Sequence, residues 1–173
     1  MKLGNKVINY NIYAKIADQR KQIANTTNAQ LPSIENLSET IKGAGIMGEI
    51  DWPTLAAPGA MTFTFNARVS GEDQISIAAP KLQEIEVRFA VEKYDTNGVA
   101  VGVEAHKAVL KCLPKKCDPG KLEPGSPQDV SNEYSVIYYK HTIDGTTMLE
   151  VDSLNYIYIV HGVDYAKDIR AAL

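Results

Sequence analysis

The chain has 173 residues, of which 45% are apolar and 23% charged, with a formal net charge of −3. That length suits one domain with a sizeable core, and the acidic balance argues against a domain that grips nucleic-acid phosphates, which is usually basic. No apolar run approaches the ~20 residues of a membrane helix, and the two cysteines are too few for a disulfide scaffold.

The first ten residues contain no secretory apolar core, so the chain is expected to be made in a cytoplasm, or released without a signal peptide. Val7 to Tyr13 reads as a strand. Ser33 to Ile41 fits a short helix capped by Ser33, with Ile34, Leu37 and Ile41 at helical spacing, and fits an extended segment equally. From residue 60 the periods sharpen. Met61, Phe63, Phe65, Ala67 and Val69 face one way against Thr62, Thr64, Asn66 and Arg68, which is a strand. Ser70-Gly71-Glu72-Asp73 starts a short helix that must end before Pro80. Ile85, Val87, Phe89 and Val91 alternate with Glu86, Arg88, Ala90 and Glu92 in a second strand. Asp95 to Gly98 is a turn, and a long return strand runs from Val99 to about Leu113. Residues 114–128 hold four prolines and two glycines and read as a long connection without ladder pairing. The count is six or more strands with one or two short helices. That predicts a mainly β fold, an antiparallel sandwich or open barrel with helices on its flank.

Little chemistry is legible. Gly43-Ala-Gly45-Ile-Met-Gly48 has the spacing of a dinucleotide loop, but such a loop must open a helix, and Pro53 leaves no room for one. A bulged strand where backbones pack closely is the plainer reading. His106 and His141 fall in separate predicted strands, and nothing in the sequence brings them together. No nucleophile motif or histidine pair at metal-binding spacing occurs. Cys112 and Cys117 lack the second pair that a zinc site needs and read as free thiols. Glu84, Glu86 and Glu92, at alternate strand positions, read as a solvated face. Neither an enzyme nor a cofactor is indicated.

The last quarter carries the clearest signal. Ser135 to Ile143 is rich in β-branched and aromatic residues, Asp144-Gly145 is a hairpin turn, and Leu149 and Val151 alternate with Glu150 and Asp152 in the return strand. Tyr156 to Val160 continues extended, Gly162 breaks it, and a short helix follows from Asp164. This order, Tyr138-Tyr139-Lys140, Asp144-Gly145, Glu150-Val151-Asp152 with Asn155, and Gly162-Val163-Asp164, resembles the major tail tube proteins of contractile-tailed (P2-like) bacteriophages and the related R-type bacteriocins. His161 stands where the family has Asn.

The resemblance implies a structural subunit of a virion tail or tail-like particle, synthesised in the host bacterial cytoplasm, with no membrane anchor. In the family, hexameric rings stack into a hollow tube inside a sheath. The tube conducts DNA or punctures an envelope, and its partners are further copies of itself, the sheath, baseplate and tail-terminator proteins, and a tape-measure protein. Applied to this chain, it implies a ring-shaped β-barrel with Glu86, Arg88, Glu92 and Glu104 facing the lumen. A polar, non-basic lumen would let DNA pass without specific binding. The resemblance also assigns Lys115, Lys116, Asp118, Pro119 and Gly120 to an inter-ring loop. It places Gly43, Gly45, Gly48, Asp144 and Gly145 at subunit interfaces or turns. A type VI secretion-like tube and a small-ligand-binding β-barrel are the alternative readings.

Overall fold

The computed structural model describes residues 3–173. The strands are β1 (Leu3–Ile16), β2 (Gln19–Ile23), β3 (Thr26–Gln30), β4 (Asn36–Ile41), β5 (Ile50–Pro58), β6 (Met61–Ala67), β7 (Gln83–Tyr94), β8 (Ala100–Asp118), β9 (Val130–Ile143), β10 (Thr146–Asp152), β11 (Ile157–Val160) and β12 (Val163–Asp164). Helices α1 (Glu72–Ser76) and α2 (Lys167–Ala172) are short. The fold is mainly β, as the sequence predicts.

Ten strands form one antiparallel sheet, ordered β12-β11-β10-β9-β8-β7-β1-β2, with β6 joined to β9 and β3 joined to β6. The branch lies along β9. Its first half, Val130–Val136, pairs with β6, and its second half, Tyr138–Ile143, pairs with β10. Side chains from both branches meet in one core, where Ile12, Ile85, Leu110 and Val151 join Phe63 and Phe65. The Met61–Ala67 alternation is realised in full, with the odd-numbered residues buried. Val69 lies beyond the strand end and is exposed. Phe65 stacks on Tyr134 with ring centroids 6.0 Å apart. The Tyr134 hydroxyl donates to the Ile77 carbonyl at 3.4 Å, which ties the end of α1 to the sheet.

The run Val136-Ile-Tyr-Tyr139 has no strict alternation, and the register explains why. Lys111 stands opposite Tyr138 but Cys112 stands opposite Val136, so Ile137 is an extra residue. This bulge lets Val136 and Tyr139 both reach the core.

One open alternative is decided and one expectation changes. Residues 36–41 are the extended strand β4, not a helix. The connection predicted over 114–128 is shorter, because β8 continues through Pro114 to Asp118, paired with β9. Pro114 is tolerated because the β7 ladder ends at the Gln83–Cys112 pair, so β8 has a free edge there.

Candidate functional site

Three regions carry what the sequence singled out. The first is the outer face of the sheet, turned away from the core. Glu86, Arg88 and Glu92 occupy alternate positions of β7 and share that face. Registered ladders turn it into rungs. Asn11, Arg88, Lys107, Thr142 and Thr147 stand opposite one another across β1, β7, β8, β9 and β10. The next rung holds Tyr13, Glu86, Val109, Lys140 and Glu150. Glu86 is only 7% exposed, because cations cover it. Arg20 Nη2 lies 3.1 Å and Lys107 Nζ 3.8 Å from its carboxylate, which also accepts from Arg88 Nε. The Arg88 guanidinium in turn lies 5.3 Å from the centre of the Tyr13 ring. Glu92 is paired with Lys6 at 3.5 Å. Between these rungs and the Asp144 turn runs a shallow trough of about 850 Å³, lined by Asn9, Asn11, Arg88, Lys107, Lys140 and Thr142 among others, with no acidic residue in its lining.

Glu104 does not belong to this face. It stands opposite Val91, so it points the same way as Phe89 and His106, toward the core side. The alternation places Val103, not Glu104, beside Glu92.

Glu104 instead joins the second region, a hydrogen-bonded chain that sequence reasoning missed. His106 Nε2 lies 2.7 Å from the Glu104 carboxylate, His106 Nδ1 lies 3.0 Å from His141 Nε2, and His141 Nδ1 lies 3.0 Å from the Tyr139 hydroxyl. With both rings neutral one arrangement satisfies every atom. Tyr139 donates to His141, His141 donates to His106, and His106 donates to Glu104. His106 also stacks on Phe89 at 4.7 Å. Burial, then the facing His106, holds the His141 pKa below its ordinary value. Lys93 bonds Glu104 and reaches Asp144 at 3.5 Å. The hydrogen bond from Lys93 is the main cause of the depressed Glu104 pKa. The Asp144 pKa is lowered chiefly because its carboxylate accepts from the Ala105 amide at 2.9 Å. Thirty-five residues separate the histidines. Only the β8–β9 register unites them, and no motif spacing encodes that register.

The third region is a pair of projecting segments. The β4–β5 hairpin forms its own two-stranded sheet, separate from the large one. On one face it carries Ile41 opposite Ile50 and Trp52 opposite Glu39, with Leu37 in line. All four apolar side chains are exposed, Trp52 at 59%. Gly43, Gly45 and Gly48 lie in its connecting loop. Gly45 and Gly48 have φ of +89° and +90°, and nothing approaches within 4 Å of a Cβ at any of the three. They serve the turn, which corrects the expectation of close backbone packing. Lys115, Lys116 and Asp118 are strand residues of β8, with Lys115 donating to Glu133 at 2.8 Å. Pro119 and Gly120 open the loop that follows. A Cβ on Gly120 would sit 1.9 Å from the Gln128 carbonyl oxygen, so this glycine is required for close approach. Asp144 and Gly145 form the two-residue β9–β10 turn with φ of +46° and +83°, the combination a tight hairpin demands.

The chain is similar to several known proteins. The chain is 28% identical over 145 residues to the tail tube protein of Escherichia phage P2, an alignment covering 81% of each chain. Among solved structures it is similar to a chain of the PVC extracellular contractile injection system, from the sheath/tube terminator in the extended state (TM-score 0.49, 8% identity, 76% of this chain and 92% of the other). It is also similar to a chain of the PVC sheath-tube complex (TM-score 0.48, 9% identity, 76% and 87%). The family model described as phage tail tube protein FII matches residues 4–173, and the chain therefore belongs to the phage tail tube proteins, as a structural subunit of a tail tube.

Proposed function

We propose that copies of this chain close side by side into hexameric rings, and that these rings stack into a hollow tube which conducts DNA or punctures an envelope. The observation that carries this reading is a two-faced sheet that its own chain leaves incomplete. One face is packed into the core and the other is polar and open. β2 pairs only Ile12–Ile16 of β1, so among the described residues the earlier part of β1 presents an unpaired edge, and such an edge is a template for another strand. Copies related by rotation would then close a barrel whose inner wall is the polar face. Glu86, Arg88 and Glu92 line the lumen on this reading, and Glu104 does not. The β4–β5 arm reaches a neighbouring subunit, where its apolar face, including Trp52, is covered. The segment Lys115 to Gly120 meets the adjacent ring. Outside the tube lie the sheath, baseplate and terminator proteins, and inside it the tape-measure protein.

Negative-stain microscopy of the purified protein tests this. Rings or tubes with an axial hole are expected. Trp52→Ser should abolish them while the far-ultraviolet circular dichroism of the subunit is unchanged, because the side chain contributes little to the isolated fold. A wild-type protein that stays monomeric at high concentration would overturn the reading.

A further inference from the structure

The hydrogen-bonded chain from Tyr139 to Glu104 has a direction, and that direction requires both histidines to be neutral. Burial pushes the Tyr139 hydroxyl up to about 12, so it keeps its hydrogen and needs an acceptor. His141 Nδ1 is that acceptor, at 3.0 Å. One added proton reverses the order. His106 then donates to both Glu104 and His141, and His141 donates to the Tyr139 oxygen, which leaves the Tyr139 hydrogen without its acceptor. A second proton sets N–H against N–H across the 3.0 Å contact between the rings. The groups around the pair come from five elements. β7 brings Phe89 and Lys93, β8 brings Glu104, the β9–β10 turn brings Asp144, β1 brings Tyr10 opposite Phe89, and β10 brings Leu149 opposite His141. The Glu104 and Asp144 carboxyls both lie below their ordinary range, the first mainly through the Lys93 hydrogen bond and the second mainly through the Ala105 amide. The histidines are therefore the groups that take up protons between neutral and mildly acid pH.

The pair sits beside the tie that holds the β9–β10 turn on β8. Ala105, next to His106, donates its amide to Asp144 Oδ1 and accepts from the Asp144 amide, both at 2.9 Å. Lys93 adds a bridge from Glu104 to Asp144. The β8–β9 ladder ends here, with His106 opposite Ile143. We infer that the histidine pair is an acid-operated latch: proton uptake parts β8 from β9 at this end and releases the Asp144 turn, while the rest of the sheet stays folded. In the released form the rings are hydrated and Tyr139 donates to water, so added protons cost nothing there. The sign follows from His141, whose folded pKa is lowered by burial first and then by the facing His106. The closed form is favoured at neutral pH and lost as pH falls, and an opening that binds one proton gains up to about tenfold per pH unit below about 6.5. The latch lies within one subunit and is independent of the ring reading.

Hydrogen–deuterium exchange followed by mass spectrometry reads the latch in free or assembled protein. After correction for the intrinsic pH dependence of exchange, peptides covering Ala105 and Asp144 should lose about tenfold or more of their protection between about pH 7.5 and about pH 4.5. The Met61–Ala67 strand should keep its own. His141→Gln should remove this pH dependence, and His161→Gln, between β11 and β12, should leave it unchanged. If His141→Gln fails to fold, Tyr139→Phe decides. Without the hydroxyl no orphaned hydrogen penalises the added proton, so release should move to lower pH by about one unit. Constant protection at Ala105 and Asp144 in the wild type, an equal loss over Met61–Ala67, or release of Tyr139→Phe at the wild-type pH overturns the inference.

Discussion

His141 shows how one side chain is set by its neighbours. Its pKa is depressed by burial and by the facing His106, so the unfolded chain takes up the proton first as pH falls. The stability it contributes is complete above about 6.5, the unfolded value, and is lost as pH falls through the lower folded value. A proton added to either ring also breaks the one-way chain of donors, because Tyr139, only 3% exposed, would lose the acceptor for its hydroxyl. The urea midpoint should therefore drop on acidification through this window, and His141→Gln should flatten that drop. An unchanged wild-type midpoint would contradict the neutral-pair arrangement. None of this was readable beforehand, since a register, not a spacing, brings Glu104, His106 and His141 together. The same one-residue phase decides that Glu104 leaves the face that Glu86 and Glu92 share.

Turns and strands differed in legibility for a chemical reason. Asp144-Gly145 announces itself, because glycine adopts positive φ at no steric cost. The β1–β2 turn does not, since it is built from Ala17 and Asp18 at φ of +49° and +60°, residues that carry no such signature. The N-terminal third consequently read poorly, although β1 is among the longest strands. Likewise, Pro114 suggested a loop, and only the missing β7 partner permits it in β8. Gly145→Val should cost about 1–3 kcal/mol, measured by thermal unfolding. Gly145→Asn should cost clearly less, because Asn enters the left-handed region more readily than a β-branched residue, and open space surrounds both side chains. Equal losses for both variants would mean that side-chain volume, not backbone strain, is what matters there.

At the scale of the whole subunit, stability depends on where the two branches of the sheet meet. Phe63, Phe65 and Tyr134 form one aromatic cluster at that junction. Phe65 is fully buried, and Phe65→Ala should cost about 3–5 kcal/mol. That is a large share of the roughly 5–15 kcal/mol that holds a domain folded, and denaturant unfolding would measure it. A loss below about 1 kcal/mol would mean that the branches do not depend on this junction. The alternation from Met61 to Ala67 made this core evident in advance, whereas the arm and the trough are surfaces and leave no period to read. The long strand β8 has a mechanical consequence. Its 19 residues span up to roughly 60 Å at strand rise, from the Asp95–Gly98 turn to the loop at the opposite end. A push along its axis loads the β7 and β9 ladders in shear, so many hydrogen bonds resist together instead of peeling one at a time. β8 thus acts as a stiff strut, and the subunit should resist axial compression better than lateral prying.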